Sequence, residues 1–286
     1  MTEQVIGRVA ALWRYPVKSM YGEQLSAASV DHRGLAGDRA YAVVDVETGQ
    51  VASAKRPRQW GGLMLYSSTV VDPAATPPAV RVTLSDGSAY LIGQGDDIAA
   101  EEALSAALGR RVRLVSTAPQ GAELEEIWSE EKGDALYGPV VDREDDQPVI
   151  RYSPALGAPP GTLFDFSAVH LVTTSSLRSL GIDVDVRRFR PNLVIHTDAD
   201  GFPENEWVGR SLRVGDSLTV EGLMLTMRCV MITLPQPDLS ADRSVMRAVT
   251  ANRVEVPGLG TYPCLGLYAR VTEPGDIAAG DPVTLL

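Results

Sequence analysis

Cysteine is scarce in this chain. Cys229 and Cys264 are the two in 286 residues, both inside apolar runs toward the C-terminal end, which excludes a disulfide framework or zinc held by cysteine pairs and suits a reducing cytoplasm. Basic residues are outnumbered, with 26 Lys plus Arg against 37 Asp plus Glu and a formal net charge of −11, so neither nucleic acid nor an anionic membrane surface is an expected partner. Long hydrophobic runs are missing too. Glu3 precedes only the short apolar stretch 9–13, too little for a signal peptide's core, and no run approaches the ~18 apolar residues of a membrane span. A soluble, cytoplasmic protein is expected. Aromatics supply 6% of the residues, leaving Val, Leu and Ala to build the interior. No glycine-rich dinucleotide or phosphate-loop fingerprint occurs, which counts against nicotinamide or nucleoside triphosphate chemistry; pyridoxal phosphate is likewise not expected.

What is present is the composition of a globular protein, 44% apolar and 22% charged. At roughly 150 residues per domain the length gives two domains or one large β-rich one. Residues 6–13, 39–44 and 63–71 alternate as strands between turn signals, and residues 80–84 and 89–92 flank Ser85-Asp86-Gly87-Ser88 as a hairpin. This predicts a small antiparallel sheet or barrel. Residues 72–78, with three prolines, read as a loop, and a helix capped by Asp97 follows, with Ile98, Leu104 and Leu108 on one face and Gly109 as its stop. Between residues 117 and 160 the pattern breaks. Residues 123–132 are acidic, residues 142–146 add four carboxylates, and Pro148, Pro154, Pro159 and Pro160 argue against regular structure. The expected division is a first domain over 1–118, a connecting segment over 119–160 and a second domain over 161–286. In that second domain residues 169–172 and 192–195 read as strands, 175–180 as a helix ended by Gly181, and 242–251 as a helix presenting Val245, Met246 and Val249. Segment 212–220 is echoed at 277–285, each reading as strand, Gly-Asp turn and strand. Two such hairpins predict a closed β-barrel rather than a parallel α/β sheet.

Chemistry concentrates in a few places. In Met227-Arg228-Cys229-Val230-Met231 the thiol is either a packed small hydrophobe or a thiolate, favoured by Arg228, that attacks an electrophile or binds a soft metal. Arg187-Arg188-Phe189-Arg190-Pro191-Asn192 places three guanidinium groups within four residues of an acidic chain. Their planar forks match phosphate or an anionic pterin edge, or else they pair with Asp183, Asp185 or Asp198. Lys18, Ser19 and Arg39 suit an oxyanion, though each also reads as a solvated surface group. His32, His170 and His196 share no ligand spacing and are expected at turns or strand ends; residues 198–201 read as a turn rather than a calcium loop. Residues 123–131 read as a solvated face that could guide a basic electron donor, and Cys264 as a packed strand residue.

Taken in order, Tyr15-Pro16-Val17-Lys18-Ser19, Gly34-Leu35-Ala36-Gly37-Asp38-Arg39, Phe189-Arg190-Pro191-Asn192, Arg228-Cys229 and Pro263-Cys264-Leu265-Gly266-Leu267-Tyr268, closed by Gly280-Asp281-Pro282-Val283, resemble the MOSC family. The closer likeness is to members with an N-terminal MOSC β-barrel domain, to which the mitochondrial amidoxime-reducing components belong. The resemblance spans nearly the whole chain. It implies a mainly β fold with a few helices (α+β), an N-terminal β-barrel-like domain packed on a C-terminal MOSC β-barrel domain, and a molybdenum cofactor between them. Cys229 would be the catalytic thiolate and metal ligand. Lys18, Ser19 and Arg39 match cofactor contacts from the first domain, Arg190, Asn192, Arg228 and Tyr268 those from the second, and Thr173, Thr174 and Ser175 stand at a polar cofactor-contacting segment. The implied activity is reduction of small N-hydroxylated or other N-oxygenated compounds at molybdenum. Electrons are expected from a separate flavoprotein, ferredoxin or haem protein, since no clustered-cysteine ferredoxin segment occurs in the sequence. Residues 230–238 depart from the family's threonine-rich pattern, which leaves substrate and donor open. The wider superfamily adds two alternatives, a sulfur-transfer enzyme with Cys229 as persulfide carrier and a non-catalytic cofactor carrier.

Overall fold

Strands whose side chains point alternately to two faces can share one of those faces as a common core. In the computed structural model, which describes residues 3–127, 140–155 and 157–286, seven strands close that core into a barrel. They are β1 (Gln4–Arg14), β2 (Val169–Thr173), β3 (Leu193–His196), β4 (Ser211–Val214), β5 (Leu218–Met227), β6 (Gly260–Glu273) and β7 (Pro282–Leu285). The order round the ring is β2-β3-β1-β7-β4-β5-β6, and β6 pairs with β2 to close it. Val9, Leu12, Leu171, Leu193, Leu212, Val220, Leu267 and Val283 belong to its core.

A ring of seven strands cannot be antiparallel throughout, because the strand direction must be restored after one circuit. The parallel pair is β2 with β3, in register Leu171↔Leu193 and Thr173↔Ile195. Parallel neighbours need a crossover rather than a hairpin, and residues 174–192 supply it through the helix Thr174–Ser179, Gly181 at φ 68° and a 3-10 turn over Val186–Phe189. The crossover delivers Arg188, Arg190 and Asn192 to one end of the barrel.

The internal echo resolves differently in its two copies. β4 and β5 form the expected hairpin, but Gly275–Ala278 pairs with Ala27–Asp31 while β7 pairs with β1 and β4. The first strand of the chain takes the second hairpin's place: Val9 N donates to Asp281 O and Gly280 N to Val9 O.

The N-terminal half has its own core around Val17, Met20, Trp60, Leu63, Val80 and Leu104. A three-stranded antiparallel sheet (Ser67–Asp72, Ala79–Thr83, Ala89–Ile92), the pair Ala42–Asp45 with Val112–Val115 and the helix Asp97–Leu108 enclose it. Gly109 ends that helix at φ 66° as expected, but the buried face carries Ala100 and Leu104, and Ile98 is 72% exposed. The strand expected from residue 63 begins at Ser67, after a 3-10 turn over Gly61–Leu65. Leu124–Ile127, Gln147–Tyr152 and Val140–Glu144 form a further three-stranded sheet where irregular structure was expected. Asp145 and Asp146, at φ 50° and 62°, make a two-residue hairpin turn of the kind usually written with Asn-Gly. Glu125 and Glu126 are buried, not solvated, because Arg56 and Arg151 meet the first and Lys55 the second. The remainder of the acidic stretch, residues 128–132, lies outside the described residues. Among the described residues no helix is long and apolar enough to cross a membrane.

Candidate functional site

β1 does not stop at the barrel. Beyond Arg14 the chain enters the N-terminal core with Val17 and Met20 buried, Lys18 N donating to Tyr41 O (2.8 Å) and Tyr41 N to Pro16 O (3.0 Å). Lys18 and Ser19 therefore sit at the seam between the two halves, and Arg39 N donates to Tyr15 O (2.9 Å) to join them. From the barrel side come the end of the crossover, the exit of β5 and the middle of β6. These segments converge on a cavity of about 80 Å³ lined by Lys18, Ser19, Arg39, Arg190, Asn192, Arg228, Cys229 and Tyr268.

Thr173, Thr174 and Ser175 are not brought to this cavity. Thr173 caps the helix Thr174–Ser179, and its Oγ1 and Ser176 Oγ donate to the fully buried Glu204 carboxylate at 2.8 and 2.6 Å. Ser175 is buried beside Thr173, and Thr174 Oγ1 accepts from Arg178 and from Thr197 N. A cap hydroxyl must face its own helix, so these groups are turned to the crossover.

Other lining residues escaped the sequence reading: Lys55, Phe164, Asp165, Phe166, Ser167 and His170. Lys55 belongs to a second basic run, Lys55-Arg56-Pro57-Arg58, which was a usable signal in an acidic chain. His170 was expected at a strand end; it is instead buried in β2 and presents its ring to the cavity. The arginine run divides its labour. Arg187 pairs with Asp185 and Asp238, as one reading of the run anticipated for Asp185, while Arg188 donates to Leu234 O and Ser240 O and so holds the segment after Cys229. Arg190 faces the cavity.

Electrostatically the cavity is opposite in sign to the chain. Lys18, Arg39, Lys55, Arg188, Arg190 and Arg228 line it, against Asp165 as the one carboxylate among the lining residues. Some of these cations are internally satisfied. Arg228 Nε donates to Leu265 O (2.8 Å), Nη1 to Phe189 O (3.1 Å), and Nη2 lies 2.7 Å from His170 Nε2. Since a guanidinium only donates, His170 Nε2 is the acceptor and its proton sits on Nδ1, facing Arg190 O at 3.3 Å. Burial first, then Arg228, holds His170 well below its ordinary value, so the ring is neutral. Asn192 is also committed, donating to Asp38 (2.9 Å) and Trp13 O (3.3 Å) and accepting from His170 N (3.1 Å). It positions three strands rather than offering a free donor.

Arg190 is different. Its Nη1 donates to Met20 O (2.7 Å) and its guanidinium lies 4.3 Å from the Tyr15 ring centroid, yet Nη2 is buried without a partner. An unmet buried donor costs ~1–3 kcal/mol. Burial lowers Arg190 to about 10, and neighbouring Arg39 adds to the effect. The backbone carries strain here as well: Ser19, Arg39 and Arg190 stand at φ 65°, 46° and 54°, each in the left-handed region that costs a non-glycine residue ~1–2 kcal/mol. Strain and an orphan donor in one cavity are features of a built binding site.

Cys229 is half-buried at the cavity wall, beside Met64, Met231 and Leu234. Burial pushes its thiol up to about 12, Glu126 adding and Lys55 opposing. Arg228, expected to favour the thiolate, does interact with the sulfur, but its guanidinium is turned to Leu265, Phe189 and His170 and burial outweighs it. A thiol so held is a weak nucleophile by itself, whereas a bound metal deprotonates it outright.

The fold and site define a class: a closed β-barrel joined to a second β-rich half, with a cation-lined, thiol-bearing cavity at the seam. Residues 6–99 match the MOSC N-terminal beta barrel domain and residues 159–284 the MOSC domain, and the chain belongs to the MOSC family. It is similar to mitochondrial amidoxime-reducing component 1 of Mus musculus, with 28% identity over 99% of this chain and 83% of the relative. The corresponding figures for component 1 of Homo sapiens are 26%, 99% and 84%, and for component 2 of Homo sapiens 24%, 98% and 84%.

A molybdenum cofactor associated with this family can be tested against the donors present. Arg190 Nη2 is an unmet donor, Lys18 and Arg39 are cations at the seam, and Cys229 offers sulfur. Among the described residues no three His, Cys, Asp or Glu side chains gather as a metal site, so a metal at Cys229 would take its remaining ligands from a cofactor or solvent. The donor set fits an anionic group bound to a metal through sulfur.

Proposed function

We propose that the protein is a molybdenum-cofactor-dependent oxidoreductase that reduces N-hydroxylated or other N-oxygenated compounds. The observation that carries this reading is the inverted charge of the cavity, six cationic side chains and a thiol in a chain of net charge −11, with one buried guanidinium nitrogen left without a partner. The names of the similar proteins, amidoxime-reducing components, supply the substrate class. The net reaction takes an N–OH compound, two electrons and two protons to the N–H compound and water. When bound, the molybdenum group supplies two-electron oxygen-atom transfer.

The chain's own residues have definite tasks in this scheme. Cys229 is the protein's metal ligand. Lys18, Arg39 and Arg190 offset the cofactor's negative charge, the last through its free Nη2. Arg188 fixes the segment after Cys229, while Asn192 and Arg228 lock β2, the crossover and β6 around His170. Phe164, Phe166, Met227 and Ile232 line the cavity's apolar wall. Lys55 is kept charged: although burial opposes it, Asp165 and Glu126 raise it well above its ordinary value, so an ammonium stands near the sulfur. Electrons come from a separate donor protein. The proposed compartment is the cytoplasm, whose reducing conditions suit the two free thiols. The test is reduction of benzamidoxime by purified protein with a chemical electron donor, wild type beside Cys229→Ala. Turnover by the wild type and none by the variant is the expected result; a molybdenum-loaded wild type that reduces no N-oxygenated compound would leave a carrier of the cofactor instead.

A further inference from the structure

Asp165 is the anomaly of the cavity, a carboxylate in a space otherwise built for anions. Its Oδ1 accepts from Lys18 Nζ and its Oδ2 lies 3.8 Å from Lys55 Nζ. We propose that Asp165 is a displaceable counter-ion, a built-in competitor that an incoming oxyanion must expel from Lys18 and Lys55 to enter. The inference deepens the reading of the cavity as an anion site and rests on it.

The asymmetry of burial identifies which partner moves. The Lys18 and Lys55 side chains are 4% and 13% exposed, whereas that of Asp165 is 27% exposed. The carboxylate has the more open route to water. Lys55 keeps a counter-charge in any case, since its Nζ also donates to Glu126 and Tyr152, both at 2.9 Å. Lys18 retains only Leu163 O at 2.9 Å. It therefore needs an anion, and Asp165 and a ligand are alternatives for that role. The backbone carrying Asp165 is pinned: Ala155 N donates to Phe164 O (2.8 Å), Gly157 N to Phe166 O (2.7 Å), and Ser167 Oγ to Ala269 O. Exchange thus requires rotation of one side chain, not movement of the segment.

Access leads to the same conclusion. The cavity opens to solvent beside Asp165, and withdrawal of that side chain would clear space at Lys18 and Lys55 for an oxyanion. The device also selects. A ligand that replaces a carboxylate must bring at least one full negative charge with two acceptor oxygens, which favours phosphate and similar oxyanions over a halide.

Inorganic phosphate is the probe. Its affinity for the purified full chain, read by calorimetry and by thermal shift at low ionic strength, is compared among wild type, Asp165→Asn and Asp165→Glu. Asn keeps the shape and an acceptor for Lys18 while removing the competing charge, so phosphate should bind about tenfold more tightly, a change of ~1.4 kcal/mol. In the absence of phosphate this variant should melt below wild type, and the gap should close as phosphate saturates. Asp165→Glu, which keeps the charge, should gain nothing. Phosphate affinity that is unchanged, weaker or undetectable in Asp165→Asn overturns the proposal. Molybdenum content of the same preparations is a separate readout: tighter phosphate with no molybdenum supports the counter-ion and removes the molybdenum reading, while molybdenum with unchanged phosphate does the reverse.

Discussion

Arg190→Met should cost the protein little stability and much of its hold on anions. The substitution removes the Nη1 bond to Met20 O at 2.7 Å, stranding a carbonyl at ~1–3 kcal/mol, and the stacking on Tyr15, worth ~0.5–2 kcal/mol. Against this it deletes the buried, partnerless Nη2, a gain of ~1–3 kcal/mol, and relieves the repulsion from Arg39. The left-handed backbone at φ 54° strains Met and Arg alike, so that cost cancels. The terms leave a net change within ~1.5 kcal/mol, against the ~3–5 kcal/mol typical of breaking a buried ion pair. Urea unfolding of wild type and variant, with equal m-values, measures it. Phosphate affinity should fall about 10–100-fold, the worth of one charge-assisted hydrogen bond pair. A stability loss above ~3 kcal/mol with phosphate binding intact would show Arg190 to be a framework residue and refute the reasoning.

Three further outcomes are expected. Glu125→Gln should destabilise by ~1–3 kcal/mol at pH 7, because Arg56 and Arg151 lose a buried partner while Arg56 keeps Asp142 and Glu144 and Arg151 keeps Glu123. Burial pushes the Glu125 carboxyl up, but the hydrogen bonds from Arg151 and Arg56 together bring it below its ordinary 4.5. Its stabilisation is therefore full above pH 4.5 and is lost as pH falls through the lower folded value, so the gap between wild type and variant, followed by denaturant titration at several pH values, must narrow in acid and never widen. Glu204→Gln leaves one acceptor oxygen for Thr173, Ser176 and the fixed Gly266 N–H, a loss of ~1–3 kcal/mol that calorimetry reads as roughly 2–4 °C per kcal/mol. Gly266→Ala should be worse than its size suggests. At φ 89° a Cβ would stand 2.6 Å from Leu171 O and 2.7 Å from His170 Nε2, so the variant should melt lower and the histidine ring resonances should shift; an unchanged melting temperature would contradict the close approach of β6 to β2.

Much of the barrel was legible because apolar alternation in residues 6–13 and 212–220 marks a buried face, the short apolar runs at 169–172 and 192–195 read as strands buried on both sides, and the Gly-Asp turns mark reversals. Closure was harder to read. That β1 lies between β3 and β7 depends on pairing across nearly the whole chain, and local pattern carries no such information. The cavity was partly legible through its cations: Lys18, Arg39, Arg190 and Arg228 stand out in an acidic sequence. Their separate tasks did not, since Arg187, Arg188 and Arg190 point three ways only once the 3-10 turn and the left-handed Arg190 are in place. Thr173, Thr174 and Ser175 looked like contacts because hydroxyls after a strand serve a ligand or a helix cap equally well, and Glu204, far along the chain, decides for the cap. Glu125 and Glu126 looked solvated for the same reason: their arginine and lysine partners lie about 70 residues earlier, at Arg56 and Lys55. Asp165 and Lys55 come from segments whose only shared property is their meeting point.

Metal analysis decides whether Cys229 and the surrounding cations hold a molybdenum group. Protein produced in molybdate-supplied cells should contain molybdenum near one atom per chain, with phosphorus from the bound pterin. Cys229→Ser should keep much of that phosphorus while losing amidoxime reduction. A folded wild type free of molybdenum, from cells whose other molybdenum enzymes are loaded, would contradict the account.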